Sequence, residues 1–295
     1  MLYIWTMRTV HLVECPRDAI QGWSHPISTE EKIAYYRALL DVGFDSIDIG
    51  SFVSHKAVPQ MADTAKVLRS LESEGFLERS TRILTIVANV RGALDAASTP
   101  GVTDIGFPLS ISPTFQKRNT NASIELAWNQ LRDIAEIAHK NSINLVAYLS
   151  MGFGNPYGDP WSLNMLEDWA GKLHETVEPA VISLSDTIGK ATSQDVRSVF
   201  EKLIPLFPAI SMGAHLHAAP WDVASKITAA YEGGCRRFDG AMRGIGGCPM
   251  AQDDLVGNIP TEKLVEFFKE NESWEPIDIR AWNQSLSLAT SLFSH

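Results

Sequence analysis

Hydrophobic positions along the chain follow two alternating patterns. Short runs rich in apolar and β-branched residues are separated by longer segments whose apolar residues recur every three or four positions. The short runs are typical of buried parallel strands, and the longer segments are typical of helices that bury one face. Eight strands are predicted, at residues 9–14, 46–49, 83–87, 104–107, 144–149, 180–184, 210–215 and 236–240.

Helices are predicted between these strands. Ser28 and Glu31 form a capping box, which places a hydroxyl and a carboxylate where the first free N–H groups of a helix need acceptors. This helix runs through Leu40, and Gly43 ends it. Apolar residues at helical spacing also mark three later segments, at 124–138, 163–177 and 196–203.

Eight strand–helix units in 295 residues predict the α/β class and a (β/α)₈ TIM barrel. A doubly wound open sheet is the alternative. It usually carries a Gly-rich phosphate-binding turn after strand 1, where this chain has Cys-Pro-Arg-Asp. We expect a single domain over residues 1–295, with the barrel at about 9–265 and a short helical extension at about 266–295.

The composition excludes some classes of binding partner and of cellular location. A net charge of −10 argues against nucleic acid and anionic membranes, since both require a basic face. No stretch approaches 18 consecutive apolar residues, so no membrane span is expected, and residues 1–10 lack the features of a signal peptide. The chain has only three cysteines, and a small, odd number of them argues against a disulfide framework. A reducing compartment, the cytoplasm, is therefore predicted.

The barrel hypothesis predicts where the chemistry should lie, because catalytic groups of such barrels sit at the carboxyl ends of the strands. Polar residues cluster at these predicted ends. They are Arg17 and Asp18 after strand 1, Asp48 near the end of strand 2, Asp186 after strand 6, His215 and His217 at the end of strand 7, and Asp239 with Cys248 at strand 8 and its loop.

His215 and His217 predict a metal site. Residues i and i+2 of a strand point to the same face, so the two imidazoles lie side by side. Asp18 supplies an oxygen ligand, and this mixed set suits Mg²⁺, Mn²⁺ or a similar divalent ion. The alternative is one buried, hydrogen-bonded histidine and one loop histidine.

Arg17 and Asp186 are candidate catalytic residues. The planar guanidinium of Arg17 can hold a developing enolate or carboxylate oxygen, and the alternative is a salt bridge at the barrel end. Asp186 leaves a buried strand at the catalytic end, where a carboxylate can orient a ligand or transfer a proton. The alternative for Asp186 is a cap on the following turn.

Cys248 lies in a loop with three glycines in the four positions 244–247, which indicates a mobile or tightly turned backbone. A cysteine there can act as acid, base or nucleophile if its pKa is lowered, and the alternative is a partly buried thiol with no role. Cys15 and Cys235 lie in or beside predicted strands and are expected in the core.

Taken together, these motifs resemble the 3-hydroxy-3-methylglutaryl-CoA lyases, which belong to a group of metal-dependent barrels that includes isopropylmalate and homocitrate synthases. The resemblance covers about residues 10–264. It is carried by Arg17-Asp18, the stretch 51–60, the stretch 185–189, His215-x-His217, the Gly-Gly-Cys-Pro sequence at 246–249, and Gly257-Asn258.

The resemblance implies a function and a set of roles. The metal is expected on Asp18, His215, His217 and Asn258, Arg17 is expected to stabilise the enolate, and Asp186 and Cys248 are expected to take part in proton transfer. The implied reaction is metal-assisted retro-Claisen cleavage of 3-hydroxy-3-methylglutaryl-CoA, or a close 3-hydroxy-3-alkylglutaryl-CoA, to acetyl-CoA and a 3-oxo acid such as acetoacetate. A homodimer that binds acyl-CoA is also implied.

The chain departs from the family pattern at three places. Asp48 stands where the family has a glutamate, Ala218 stands where an aspartate follows the histidine motif, and residues 152–156 lack a cysteine pair. These departures favour an altered acyl branch. Asp48 and Ala218 also leave open a barrel that binds acyl-CoA without turnover. A Claisen-type synthase or 2-oxo acid aldolase of the same group is a separate alternative.

The residues that contact CoA are less well marked. Lys56, Lys117 and Arg118 flank predicted catalytic-end loops and are candidates for phosphate contacts. The alternative for each of them is a solvated surface charge.

Overall fold

The structure is a computed structural model that describes residues 9–247, 256–271, 274, 276 and 278–294. In these ranges, eight parallel strands close into a barrel, in which β6 also pairs with β7. The strands are β1 His11–Glu14, β2 Ser46–Ser51, β3 Arg82–Ile86, β4 Asp104–Ser110, β5 Asn144–Ser150, β6 Val181–Asp186, β7 Ser211–Ala218 and β8 Arg237–Gly240. The predicted TIM barrel is therefore confirmed.

Helices surround the barrel. They are α1 Pro16–Gln21, α2 Thr29–Val42, α3 Thr64–Ser73, α4 Val90–Ala97, α5 Pro113–Thr120, α6 Ile124–Lys140, α7 Leu163–Thr176, α8 Ser193–Leu206, α9 Val223–Glu232, α10 Thr261–Glu270 and α11 Ile279–Leu292. The capping box of α2 forms as predicted: the Ser28 hydroxyl accepts from the Glu31 amide at 3.2 Å, and the Glu31 carboxylate accepts from the Ser28 amide at 2.8 Å. Across the described ranges, no helix is long and apolar enough to cross a membrane.

Each predicted strand begins within two residues of the observed one, but several continue further at their carboxyl ends. Strand β7 was predicted to stop at His215 and runs on to Ala218, so His217 lies within the strand. Sequence patterning missed these extensions because the strands become polar where they reach the cavity, while backbone pairing continues.

A ninth, two-residue strand, β9 Gly257–Asn258, pairs antiparallel with β7 and places Asn258 opposite His217. The C-terminal helix α11 packs on α2, and Trp274 stacks on Phe44 with ring centroids 5.5 Å apart. Cys15 and Cys235 are buried free thiols in the core, as predicted.

Candidate active site

A cavity of about 620 Å³ opens at the carboxyl ends of the strands, where the barrel architecture predicts the chemistry. Its lining includes Arg17, Asp18, Ser51, Ser185, His215 and His217. A larger cavity of about 910 Å³ lies beside α9 and α10. Its described lining includes Asn258 but none of the titratable groups that converge in the smaller cavity, so we assign the chemistry to the smaller one.

Three of the predicted metal ligands meet in this cavity. One ligand atom from each of Asp18, His215 and His217 lies within 4.8 Å of the others. The two histidine Nε2 atoms are 3.3 Å apart. Asn258 joins the group, because its Nδ2 donates to Asp18 Oδ2 at 2.8 Å.

The charge states of Asp18 and His217 fit a cation. Burial alone would raise the pKa of Asp18, but the attraction of Arg17, His215 and His217 outweighs it and lowers that pKa to about 2. Burial, with repulsion from His215, lowers the pKa of His217 to about 3. An ionised carboxylate and a neutral imidazole are the forms that ligate divalent metals. With a second imidazole and an amide oxygen, the donor set fits Mg²⁺ or Mn²⁺.

Behind the cavity, His215 is held by an ion pair that the sequence interpretation had not assigned. His215 Nδ1 lies 3.1 Å from Asp239 Oδ2, and Asp239 Oδ1 accepts from Arg237 Nη1 at 2.8 Å. Burial opposes ionisation of Asp239, but Arg237 and His215 lower its pKa below the usual range. With Nδ1 directed at this carboxylate, Nε2 of His215 is left for a metal. The alternation of Arg237 and Asp239 on one face of β8 was the signal that could have identified them.

Arg17 connects the metal-site carboxylate to strand β2. Its Nε and Nη2 donate to Asp48 Oδ2 at 2.9 and 2.5 Å, and its Nη1 donates to Asp18 Oδ1 at 2.8 Å. Burial raises the pKa of Asp48 to about 6, although Arg17 opposes this rise. The salt-bridge alternative and the catalytic hypothesis for Arg17 are therefore compatible, since a fixed guanidinium at the cavity wall serves both.

Asp186 does not join the cavity group. Its carboxylate accepts from the Lys190 and Ala191 amides at 2.9 and 3.0 Å, and from Lys226 Nζ at 2.6 Å. Ser185 and Thr187 of this stretch line the cavity, and Ser185 pairs with His215 across β6 and β7. Asp186 thus makes the contacts of the capping alternative, and its part in proton transfer stays a prediction.

Cys248 lies outside the described residues, but the glycines before it are described. Gly246 and Gly247 have φ values of 88° and 133°, which favour glycine. A Cβ at Gly246 would lie 2.6 Å from the Asp18 carbonyl oxygen, and one at Gly247 would lie 3.1 Å from His217 Nδ1. The glycines therefore let the backbone pass directly over two candidate ligands.

The candidate CoA contacts are exposed. Arg118 lines the cavity and stacks over Tyr157, with its Cζ 4.7 Å from the ring centroid. Lys117 donates to the Asn121 carbonyl at 3.2 Å, and Lys56 is exposed. Of the three, only Arg118 is among the described lining of the cavity.

Known proteins share both the sequence pattern and the fold. Residues 10–288 match the family model described as HMGL-like. The 3-hydroxy-3-isohexenylglutaryl-CoA/hydroxy-methylglutaryl-CoA lyase of Pseudomonas aeruginosa is 29% identical over 93% of this chain and 89% of its own length. The hydroxymethylglutaryl-CoA lyase of Bacillus subtilis is 31% identical, over 86% of this chain and 83% of its own. An Acinetobacter baumannii HMG-CoA lyase, solved in complex with coenzyme A and 3-methylmalate, has a TM-score of 0.86 and 28% identity, covering 97% of this chain and 92% of that one.

Proposed function

Because the chain belongs to the HMGL-like family, we propose that it is a divalent-metal-dependent oxo-acid lyase. Its proposed substrate is 3-hydroxy-3-methylglutaryl-CoA or a close 3-hydroxy-3-alkylglutaryl-CoA, cleaved to acetyl-CoA and a 3-oxo acid such as acetoacetate. The observation that carries the proposal is the meeting of Asp18, His215 and His217 beside Arg17 in the barrel cavity, with Asn258 hydrogen-bonded to Asp18.

The four candidate ligands would hold Mg²⁺ or Mn²⁺. The bound ion supplies a Lewis acid that lowers the pKa of the substrate 3-hydroxyl and orients the substrate. The chain supplies the support for this site. Asp239 fixes the orientation of the His215 ring, and the ionised Asp18 gives the site negative charge.

Arg17 would stabilise the charge that develops during cleavage. In retro-Claisen chemistry a general base takes the hydroxyl proton and the C3–O bond becomes the carbonyl of the 3-oxo acid. The bond between C2 and C3 breaks, and its electron pair passes to the thioester as an enolate. A guanidinium held on Asp48 needs no reorganisation to meet that charge. Protonation of the enolate carbon then releases acetyl-CoA, and Cys248 is the proposed proton donor.

The cavity wall supports an alkyl branch on the substrate. Apolar side chains contribute to its lining, among them Ile86, Pro108, Phe115, Leu126 and Tyr148. The name of the Pseudomonas aeruginosa relative includes both a 3-hydroxy-3-isohexenylglutaryl-CoA and a hydroxymethylglutaryl-CoA lyase activity. We therefore include a branch larger than methyl in the proposal.

Three further points are proposed alongside the reaction. An acyl-CoA substrate is supported by the coenzyme A in the Acinetobacter baumannii structure. A homodimer is proposed from the family resemblance, and a cytoplasmic location from the sparse cysteines, of which Cys15 and Cys235 are free thiols.

The first experiment is a product assay. Purified protein is incubated with 3-hydroxy-3-methylglutaryl-CoA and Mg²⁺ or Mn²⁺, and acetyl-CoA and acetoacetate are quantified with and without EDTA. Cys248→Ala is compared with Cys235→Ala, which removes a buried thiol outside the cavity. We expect metal-dependent product that falls sharply in Cys248→Ala and persists in Cys235→Ala.

Other outcomes favour the alternatives. Cleavage of a 2-oxo acid, or its condensation with acetyl-CoA, in place of lyase activity would favour an aldolase or synthase. Metal and acyl-CoA binding without turnover of any 3-hydroxyacyl-CoA would favour a binding barrel. Either result would overturn the proposed reaction.

A further inference from the structure

A buried ion pair lies directly behind the candidate metal site. Lys226 Nζ is 2.6 Å from Asp186 Oδ2, and each side chain is only 2% exposed. Lysine is among the residues least often fully buried, and removing both charges from water is unfavourable unless their geometry is well matched. A hydrophobic pair would fill the same space without the free-energy cost of desolvating two charges. The presence of the charges therefore indicates a role beyond filling space.

Lys226 uses all three of its ammonium hydrogens. Besides Asp186, Nζ donates to the Gly189 carbonyl at 3.0 Å and to the His217 carbonyl at 2.9 Å. An ammonium has three donors, so the group is saturated. Lys226 thereby joins α9 to the turn after β6 and to the main chain of a candidate metal ligand.

The turn after β6 is fixed against the same ligand. Asp186 accepts from the amides of Lys190 and Ala191, which holds the turn closed. Gly189 has a φ of 67°, and a Cβ there would lie 2.7 Å from Val256 Cγ1 and 3.3 Å from the His217 carbonyl oxygen. The turn therefore leaves no room for His217 to shift in that direction.

His217 transmits this constraint to a second ligand. His217 of β7 pairs with Asn258 of β9, and the Asn258 side chain donates a hydrogen bond to Asp18. Displacement of the His217 main chain would therefore change the positions of His217 and Asn258 together.

We propose that Lys226 and Asp186 are positioning residues for the metal site, and that Asp186 acts through Lys226 and the His217 main chain and exchanges no proton with the substrate. The Asp186 carboxylate already accepts three hydrogen bonds, all from the turn and α9. The neighbouring Ser185, not Asp186, lines the cavity. This inference rests on the proposed metal-dependent lyase function.

The test measures Mn²⁺ affinity by electron paramagnetic resonance or calorimetry, without substrate. Removing one charge alone leaves the other buried and unpaired. The principal variant is therefore Asp186→Asn/Lys226→Gln, which keeps a neutral hydrogen-bonding pair. Asp186→Asn and Lys226→Gln are measured singly. The matched control is Asp63→Asn/Lys32→Gln, since Lys32 is also buried and lies 2.7 Å from Asp63 Oδ1, away from the four candidate ligands.

We expect the Asp186/Lys226 double variant to bind Mn²⁺ about tenfold more weakly than wild type, the scale seen when supporting residues of metal sites are removed. The control variant should bind within about twofold of wild type. The two single variants should be non-additive, since their side chains touch. At saturating Mn²⁺, the pH profile of kcat for Asp186→Asn should keep both wild-type limbs.

Two results would overturn the inference while leaving the proposed metal site intact. Wild-type Mn²⁺ affinity in the double variant would show that the pair does not position the ligands. Loss of turnover and of one pH limb in Asp186→Asn, with Mn²⁺ affinity unchanged, would make Asp186 a proton-transfer group. If wild type itself binds no Mn²⁺, the proposed metal site fails and this inference fails with it.

Discussion

Asn258 Nδ2 donates to Asp18 Oδ2 at 2.8 Å, although the two residues are 240 positions apart in the chain. Asp18 follows the first barrel strand, and Asn258 lies in β9, which comes after the last one. Closure of the barrel makes these two ends neighbours, so the candidate site is assembled across the seam where the chain meets itself. The site therefore depends on complete folding of the barrel, and local changes at the seam should affect metal binding.

Arg17→Lys tests the fixed guanidinium. Lysine keeps the charge but cannot make the forked contact with Asp48 and Asp18 together. We expect kcat/KM to fall about 10²–10³-fold, the scale associated with loss of an oxyanion-stabilising donor. Arg82→Lys is the control, because Arg82 pairs with Asp104 at 2.8 Å at the opposite end of the strands. Equal losses in both variants would contradict a catalytic role for Arg17.

Asp239→Asn tests the support of His215. Asparagine fills the same volume but removes the charge that holds the His215 ring and pairs with Arg237. We expect Mn²⁺ affinity to fall about 10–100-fold, measured by calorimetry. Asp104→Asn removes a carboxylate that is likewise paired with an arginine, at the amino ends of the strands, and should leave Mn²⁺ affinity near wild type. Unchanged affinity in Asp239→Asn would count against the orienting role.

Gly246→Ala tests the close approach of the glycine-rich backbone to Asp18. The added methyl would lie 2.6 Å from the Asp18 carbonyl oxygen and 2.8 Å from Ala19 Cα. Gly158→Ala is a matched control, because Gly158 also has a positive φ, of 76°, but faces open space. Both substitutions carry the left-handed backbone penalty of about 1–2 kcal/mol. Only Gly246→Ala should also weaken Mn²⁺ binding; a parallel loss in Gly158→Ala would show a general effect on stability.

Glu14 should make stability depend on pH. Burial raises its pKa from 4.5 to about 8, although Thr261 and the Met242 amide donate to the carboxyl group. Its folded pKa is above its unfolded pKa, so its contribution is fully present below about pH 4.5 and is lost as pH rises through about 8. Glu14→Gln mimics the neutral form and should lack this loss.

The free energy of unfolding of wild type and of Glu14→Gln is measured by urea denaturation between pH 5 and 9. The difference between the two proteins removes the contributions of the other titratable groups. We expect the free energy of unfolding of wild type to fall relative to Glu14→Gln as pH rises. A constant difference across this range would show that Glu14 titrates alike in the folded and unfolded chains.

Much of the barrel could be predicted from the sequence. The alternation of short apolar runs with helical segments specified the eight strands, because parallel strands covered by helices must be apolar on both faces. The spacing of His215 and His217 fixed two imidazoles on one face of a strand, since strand geometry has a period of two. The strand ends were less well predicted, because polar residues facing the cavity interrupt the apolar pattern while the backbone remains paired.

Only the tertiary structure showed which way the Asp186 side chain points. A strand that is buried on both faces gives no sequence signal for which face points into the barrel. Pairing with β7 turns Ser185 toward the cavity and sends the next residue, Asp186, toward α9 and Lys226. Lys226 was likewise not predicted, and the alternation of Arg237 and Asp239 on β8 did not show that they support His215, because no sequence pattern states which distant side chains a fold brings together.

By itself, then, the sequence determined the fold class, the strand order along the chain and the residue types at the catalytic end, since these depend on local periodicity and on general barrel geometry. The family resemblance implied a shared site for Asp18, His215, His217 and Asn258, but only the tertiary structure decided how these residues meet and that Asp186 lies outside the site. Asp18 meets Asn258 because the barrel closes, and Asp186 leaves the cavity because strand register sets the side on which each residue lies. Both outcomes depend on long-range packing, which local sequence does not encode.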